Sequence, residues 1–225
     1  MSDHRPVSRR RLLSYGLGTA GGVLLASGLT QPAFAARPAA AWTANTTANG
    51  WPVISGPKPL EIEGTDLAVA VLPGPVATVL LHCARRFCYE IDDTLTQADV
   101  SGYSASRSVG AAFESNYLSG TALALRPNFY PLGVKNGFFP HDIVIIRDIL
   151  ADCEGLVRWG GDLNPAKESH FQIDVAPDNG KLAGVANKIT RWQQLPGQGA
   201  GSAIDPFSPN RLRAAQALQT QQSHH

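Results

Sequence analysis

The chain has almost no excess of charge of one sign. Across 225 residues, 19 basic residues nearly balance 18 acidic residues, and the net charge is +1. A surface that binds nucleic acid usually carries a strong basic excess, so this balance argues against such a partner. The small excess lies within residues 1–35, which hold four of the 19 basic and one of the 18 acidic residues. The rest of the chain therefore has 15 basic and 17 acidic residues and a net charge of −2.

Cysteine is scarce as well, with only Cys83, Cys88 and Cys153. An odd number leaves at least one thiol unpaired, and no Cys-x-x-Cys or Cys/His spacing predicts a zinc knuckle. Cys83 and Cys88 are five residues apart on a predicted helix, which points their side chains in different directions and disfavours a disulfide between them. We expect three buried free thiols.

Only one long apolar run is present, from Leu12 to about Leu29. It follows a group of arginines and precedes Ala33-Phe34-Ala35, a small-x-small site of the kind that signal peptidases cleave. The arginines lie in Ser8-Arg9-Arg10-Arg11-Leu12-Leu13, which resembles the twin-arginine export motif. The pattern predicts a signal peptide over residues 1–35 and an exported protein, extracellular or associated with the cell wall, whose mature chain has no membrane span.

The same run has a second interpretation, a retained membrane anchor. It contains about 18 residues, close to the ~20 that a bilayer requires. Five glycines, at positions 16, 18, 21, 22 and 28, weaken it as a spanning helix. We therefore favour cleavage after Ala35.

The mature chain divides by composition into three segments. Residues 36–50 are small, polar and Pro-containing, which predicts a linker. Residues 51–195 have the apolar patterns of a compact domain. Residues 196–225 are dominated by Gly, Ser, Pro and Gln, which predicts a flexible tail in which residues 211–222 could form a short helix.

Within the compact domain, apolar periodicity predicts helices over residues 76–89, 142–151 and 182–192. Apolar or alternating runs predict strands over residues 67–72, 157–159 and 170–175, the last with one buried face. Between them, residues 93–140 have little periodicity, and irregular stretches of that length usually build functional sites. This order of elements predicts an α+β fold rather than a regular doubly wound sheet.

Three stretches carry a resemblance to a known family: residues 115–125 (SNYLSGTALAL), 157–162 (VRWGGD) and 170–173 (HFQI). In this order they resemble the M15 class of D-alanyl-D-alanine carboxypeptidase-like zinc peptidases, which includes phage endolysins. Pro131-Leu132-Gly133, and Gly102-Tyr103 before Arg107, fit the same pattern. The resemblance covers about residues 51–190. It implies the hedgehog-like fold of that family, a small antiparallel sheet packed with helices, and peptidoglycan stem peptides as partners.

The family holds zinc through a His, an Asp and a second His, and its general base is a carboxylate three residues before the last His. Matched residue by residue, Tyr117 and Ala124 stand at the first two ligand places of this chain. His170 is the single retained metal ligand, and Lys167 stands at the place of the base. The resemblance thus implies a catalytic site of which no member is intact.

The chemistry of these replacements argues against hydrolysis. Catalytic zinc requires about three protein ligands. A phenol with a pKa of ~10 is a poor ligand and a methyl group is none. A protonated Lys167 would repel the metal and could not accept a proton from water. We therefore expect no cofactor and a catalytically degenerate module that binds cell-wall peptides or another partner. The alternatives are an active zinc peptidase with unrecognised ligands and a secreted scaffold without any ligand.

Three further residues are candidates for binding. Arg107 could hold a peptide carboxylate by a bidentate contact or pair with a surface acid. Ser115 could contact substrate or hold the local turn. Asp162 could face the groove or cap the following loop. A structural role for Trp159-Gly160-Gly161 is also open.

Three other side chains are expected outside the site. Glu168, next to the place of the lost base, should point away from it because neighbours on a strand face opposite sides. His82 and His141 should lie at the surface or at helix ends rather than serve as replacement ligands.

Overall fold

A computed structural model of the chain describes residues 39–195, 197, 202 and 204–223. The predicted signal peptide, its cleavage site and its alternative as an anchor lie outside these residues. Among the residues that are described, no helix combines the length and the apolar character needed to cross a membrane.

The elements follow the α+β expectation, with helices and small antiparallel sheets in one chain. The helices are α1 (Pro75–Glu90), α2 (Pro140–Asp152), α3 (Lys181–Gln194) and α4 (Pro209–Ser223). The strands are β1 (Ala40–Ala41), β2 (Pro59–Glu61), β3 (Ala68–Ala70), β4 (Val100–Ser101), β5 (Ser108–Val109), β6 (Ala122–Leu125), β7 (Val157–Trp159) and β8 (His170–Ile173). Within the described ranges, 3-10 helices cover Gln97–Asp99, Ala112–Ser119 and Gly160–Asp162.

The central sheet has four strands in the order β4-β6-β8-β7, and each neighbouring pair is antiparallel. Two smaller sheets pair β1 with β5 and β2 with β3. Helix α1 contacts both β6 and β8, and the 3-10 helix Ala112–Ser119 contacts β6 as well. Every residue of β6 and of β8 is buried. The expectation that β8 has a single buried face is therefore wrong, because helical segments and loops cover the sheet on both sides.

Helix α1 begins where the sequence predicts, since Pro75 occupies its first turn. Its apolar residues Val79, Leu80, Cys83 and Phe87 are completely buried in the core. The helix is also buried beyond this apolar stripe, because α3 packs against it and the guanidinium of Arg86 pairs with Asp148 and Asp152 of α2.

The predicted linker belongs to the fold over residues 39–50. Strand β1 pairs with β5, and the backbone amide of Thr47 donates to the carbonyl of Trp51 over 2.8 Å. The side-chain amide of Asn49 donates to Thr121 Oγ1 and to the carbonyl of Ile173, each over 2.8 Å. These small polar residues hydrogen-bond to the core rather than to solvent, which corrects the prediction of a linker for this part.

The short helix predicted over residues 211–222 is confirmed, but residues 209–223 are not a flexible tail. They form α4, which packs against α2. Arg211 Nε donates to Asp148 Oδ1 over 2.7 Å, and Gln222 Nε2 donates to the carbonyl of Val157 over 3.0 Å. Composition suggested mobility because α4 has few apolar residues, but the helix is attached mainly by polar contacts to buried partners.

Candidate functional site

The four positions that the resemblance assigns to a metal site lie together in the structure. Ala124 of β6 pairs directly with His170 of β8 across the antiparallel ladder. Tyr117, on the 3-10 helix Ala112–Ser119, brings its hydroxyl to 2.7 Å from Nδ1 of His170. Lys167 precedes β8, and its ammonium lies 5.0 Å from the centre of the Tyr117 ring. The sequence prediction thus identifies four neighbouring residues.

Both ring nitrogens of His170 have hydrogen-bond partners. Nε2 lies 2.9 Å from Gln172 Oε1, which also accepts a hydrogen bond from Asn116 Nδ2 over 2.9 Å. Gln172 directs its amide nitrogen to Asp174 Oδ1, which makes Oε1 the acceptor toward the ring. The network therefore assigns the hydrogen to Nε2, and Nδ1 accepts from the hydroxyl of Tyr117.

The surroundings keep this pair uncharged. His170 has no solvent exposure, and burial lowers its pKa to about 4, with the nearby charge of Lys167 acting in the same direction. Burial, together with the carboxylate of Glu114, raises the pKa of Tyr117 above its usual value. At neutral pH the imidazole and the phenol are consequently both neutral.

Lys167 is engaged by an ion pair. Its ammonium lies 2.7 Å from Glu114 Oε1, and Glu114 Oε2 accepts from the backbone amide of Gly110 over 2.8 Å. Burial opposes ionisation of Glu114, but the hydrogen bond and charge of Lys167 hold the pKa of this carboxyl below its usual value. Both side chains retain some exposure, so the pair lies at the edge of the buried His170 network.

The residues at these places do not fit a zinc ion. Neither nitrogen of His170 is free, Ala124 offers a methyl group, and the nearby carboxylate of Glu114 is paired with Lys167. Over the described ranges of the chain, no group of three or more His, Cys, Asp or Glu side chains is arranged to hold a metal. His170 is therefore part of a hydrogen-bonded core network rather than a ligand here.

The three candidate binding residues each have a structural partner. Nη1 of Arg107 donates to the carbonyls of Trp42 and Ala44 over 3.0 and 2.9 Å. Ser115 is completely buried; its hydroxyl donates to the carbonyl of Ala112 and accepts from the amide of Ala48. Arg107 and Ser115 therefore attach residues 42–48 to the domain.

Asp162 forms a bidentate ion pair with the guanidinium of Arg147. The guanidinium of Arg147 in turn lies 5.1 Å from the centre of the Trp159 ring. Asp162 therefore links the turn after β7 to helix α2, and its carboxylate has a partner within the fold.

The turn after β7 needs its glycine for close packing. A Cβ on Gly160 would lie 2.0 Å from the carbonyl oxygen of Lys167 and 2.9 Å from Cβ of His170. The Trp159 indole donates to the carbonyl of Glu168 over 2.7 Å, which holds the same two segments together. These contacts favour the structural interpretation of Trp159 and Gly160, because together they fix the chain on either side of Lys167.

The carboxylate of Glu168 binds the loop before α2. Its two carboxylate oxygens accept from the backbone amides of Asn136 and Gly137 over 2.7 and 2.8 Å, and the side chain is buried. It anchors the loop before α2, and neither of its oxygens is directed at the Tyr117–His170 pair.

The expectation for His82 is wrong and that for His141 is confirmed. The side chain of His141 is 64% exposed in the first turn of α2, whereas His82 of α1 is buried against Asp152 of α2 and Trp192 of α3. His82 Nε2 lies 3.3 Å from Asp152 Oδ2. Burial, aided by the charges of Arg86 and Arg85, lowers the pKa of His82 despite the attraction of Asp152. Helical spacing placed His82 away from the apolar stripe and did not show that other helices cover it.

His82 belongs to a buried charged cluster that was not predicted, formed by α1, α2 and α4. Arg86 pairs with Asp148 and Asp152 over 2.8 and 3.0 Å, and Arg211 pairs with the same two carboxylates over 2.7 and 2.9 Å. A cavity of about 270 Å³ lies beside it, lined by His82, Asp152, Trp192, Gly197, Ile204 and Arg211. The charges in this cluster are directed at one another, which fits a role in attaching α4.

Asn49, Asn116 and Gln172 also complete the network around His170 and were not identified from the sequence. Asn116 Oδ1 accepts from the amide of Asn49 over 3.1 Å, while Asn116 Nδ2 donates to Gln172. The one available signal was the position of Gln172, two residues after His170 and therefore on the same face of the strand.

No protein-family profile, curated protein or solved structure matches this chain. The resemblance carried by the three sequence stretches stays a prediction.

Proposed function

We propose that this chain is an exported M15-peptidase-like domain that has lost hydrolysis and acts by binding cell-wall peptides. The observation that supports it is the meeting of Tyr117, Ala124 and Lys167 at His170. Tyr117 and Ala124 stand at the places of two zinc ligands and Lys167 at the place of the base, while His170 is the retained ligand. A degenerate zinc site of this family requires these four residues to be neighbours in space.

The chemistry of the replacements supports binding over catalysis. A metallopeptidase needs a metal-bound water as nucleophile and a group that accepts its proton. Tyr117 donates its hydrogen to His170, and Lys167 is paired with Glu114. Neither side chain can supply those functions in this arrangement.

The edge of the network offers groups suited to a peptide. Lys167 and Glu114 carry one charge of each sign at this edge, and a stem peptide that displaces their ion pair would meet them with its carboxylate and its amino group. The adjoining loop attaches where the amide of Gly133 donates to the carbonyl of Ala166 over 2.6 Å. It carries the exposed side chains of Val134 and Phe129.

Restoring the lost groups tests the origin of the site. The triple variant Tyr117→His, Ala124→Asp, Lys167→Asp should bind about one zinc per chain in calorimetry and metal analysis, whereas the unaltered protein should bind none tightly. The variant Tyr89→His, which adds an imidazole at an exposed position of α1, is the control and should not acquire zinc. Stoichiometric zinc in the unaltered protein, with cleavage of D-alanine-ended peptides, would support the active peptidase instead.

Binding is tested with a synthetic stem peptide ending in D-Ala-D-Ala, monitored by NMR chemical shifts and calorimetry. The double variant Lys167→Ala, Glu114→Ala should weaken binding at least tenfold. Lys188 and Glu154 form an ion pair elsewhere on the surface, so Lys188→Ala, Glu154→Ala is the matched control and should leave binding unchanged. No shift changes in the unaltered protein at millimolar peptide would favour a scaffold without this ligand.

A further inference from the structure

Two of the three cysteines meet inside the core. Sγ of Cys83 lies 3.5 Å from Sγ of Cys153 although the residues are 70 positions apart, and neither side chain has any solvent exposure. Cys83 lies within α1 and Cys153 is the C-cap of α2. Both thiols are free in this structure. Their separation is larger than the ~2.05 Å of a disulfide bond but small enough that modest side-chain rotation could close it.

Neighbouring contacts hold the two cysteines side by side. His82 and Asp152, each one position before a cysteine, lie 3.3 Å apart, and Arg86 of α1 also pairs with Asp152 over 3.0 Å. The meeting of the sulfurs is thus one of several contacts between the same parts of α1 and α2. The chain does not depend on the thiols alone to keep them close.

We propose that Cys83 and Cys153 are a disulfide pair, closed when the protein folds under oxidising conditions, and that Cys88 remains the free thiol. The oxidant is a low-molecular-weight or protein disulfide. One cysteine attacks it to form a mixed disulfide and the second displaces the carrier thiol, so two cysteine thiols lose two hydrogens and one disulfide is reduced to two thiols.

The bond would close a loop that contains two of the four positions of the candidate site, whereas Lys167 and His170 follow Cys153 in the sequence. Tyr117, Ala124 and strands β4 to β6 all lie between the two cysteines in sequence. Closing a loop of this length reduces the conformational freedom of the unfolded chain and so favours the folded state. The bridge would stabilise the site-bearing segment whatever ligand the domain takes, which makes this inference independent of the proposed function.

Burial determines when the bond can form. The contact with Cys83, together with burial, raises the pKa of the Cys153 thiol, so the native protein contains little reactive thiolate. Oxidation should therefore be fast during folding and slow once the core has closed. Disulfides of this kind belong to proteins of oxidising compartments.

The experiment refolds the reduced protein in a mixture of oxidised and reduced glutathione and counts the thiols that alkylate in denaturant. One alkylated thiol, at Cys88, a mass lower by two hydrogens and a peptide pair that joins Cys83 to Cys153 are expected. Adding dithiothreitol should lower the melting temperature by several degrees. Three alkylated thiols in refolded protein with a native spectrum, or a bridge that includes Cys88, would overturn the proposal.

Single variants provide matched controls. Cys88→Ala should keep the bridge and the response of its melting temperature to dithiothreitol, because it removes only the thiol outside the pair. Cys83→Ala and Cys153→Ala should each lose both, and each should show two alkylated thiols. The unaltered protein decides the question by itself if either core variant fails to fold.

Discussion

The phenolic oxygen of Tyr117 lies 2.7 Å from Nδ1 of His170, and the two rings meet edge to face. This contact places the side chain at the predicted first-ligand place in hydrogen-bond contact with the one retained imidazole. The hydroxyl satisfies a nitrogen that would otherwise be buried without a partner, since Nε2 is already held by Gln172. Tyr117 therefore stabilises the fold at the position that the predicted resemblance assigns to a metal ligand.

Replacing Tyr117 by Phe should lower the free energy of unfolding by about 1–3 kcal/mol, because it leaves a buried ring nitrogen without a donor. Urea denaturation measures the change. Tyr89→Phe is the matched control: its hydroxyl donates to the carbonyl of Gly64, but the side chain is 47% exposed, and a loss below about 0.5 kcal/mol is expected. Equal losses in the two variants would contradict the role assigned to Tyr117.

His170 should make stability depend on pH in acid. Its pKa is about 4 in the folded protein and ~6.5 in the unfolded chain, so the unfolded state binds more protons between these values. The stabilisation is complete above about pH 6.5 and is lost as the pH falls toward 4. The total loss of stability over this range is about 3 kcal/mol. The ring resonances in NMR should give the folded pKa directly.

Stability curves of the unaltered protein and His170→Gln isolate this contribution, since other titrating groups are common to both. His82 also has a lowered pKa, so the same comparison with His82→Gln separates the two histidines. A His170 imidazole that titrates near 6.5 in the folded protein would show that the ring is accessible to solvent.

Replacing Ser115 by Ala should destabilise the protein by about 1–2 kcal/mol, because its buried hydroxyl bonds both Ala112 and Ala48. The loss should appear in urea denaturation and should leave the affinity for the stem peptide unchanged. Ser106→Ala, at an exposed position, should change stability by less than about 0.5 kcal/mol. Weaker peptide binding by Ser115→Ala without loss of stability would instead support the contact with substrate.

Replacing Arg211 by Ala should loosen α4, because this side chain links the helix to Asp148 and Asp152. Its partial exposure and the continued pairing of both acids with Arg86 limit the expected loss to about 1–2 kcal/mol. Faster hydrogen exchange confined to residues 209–223 is the diagnostic result. Arg213→Ala, exposed on the same helix, should leave exchange there unchanged.

Helices α1 to α3 and strands β3, β7 and β8 were predictable because their signals are local, whereas β6 lies within residues 93–140, where the sequence shows little periodicity. Pro75 and the apolar spacing that follows it define α1, and Pro140 begins α2 in the same way. The roles of Arg107 and Ser115 were open from the sequence, since a guanidinium or a hydroxyl serves a ligand and a backbone carbonyl equally well. Their partners, at Trp42, Ala44, Ala48 and Ala112, include segments that composition assigned to a linker.

Local pattern by itself determined the α+β character and the bounds of α1, α2 and α3 to within two residues. The resemblance predicted that Tyr117, Ala124 and Lys167 lie near His170. Tertiary structure alone decided that Tyr117 and Gln172 occupy both nitrogens of His170, that α4 docks through Arg211, and that Cys83 meets Cys153. The physical reason is distance along the chain. Periodicity reports how a residue relates to its neighbours within a few turns, whereas these contacts join positions 53 to 70 residues apart, apart from the link between His170 and Gln172.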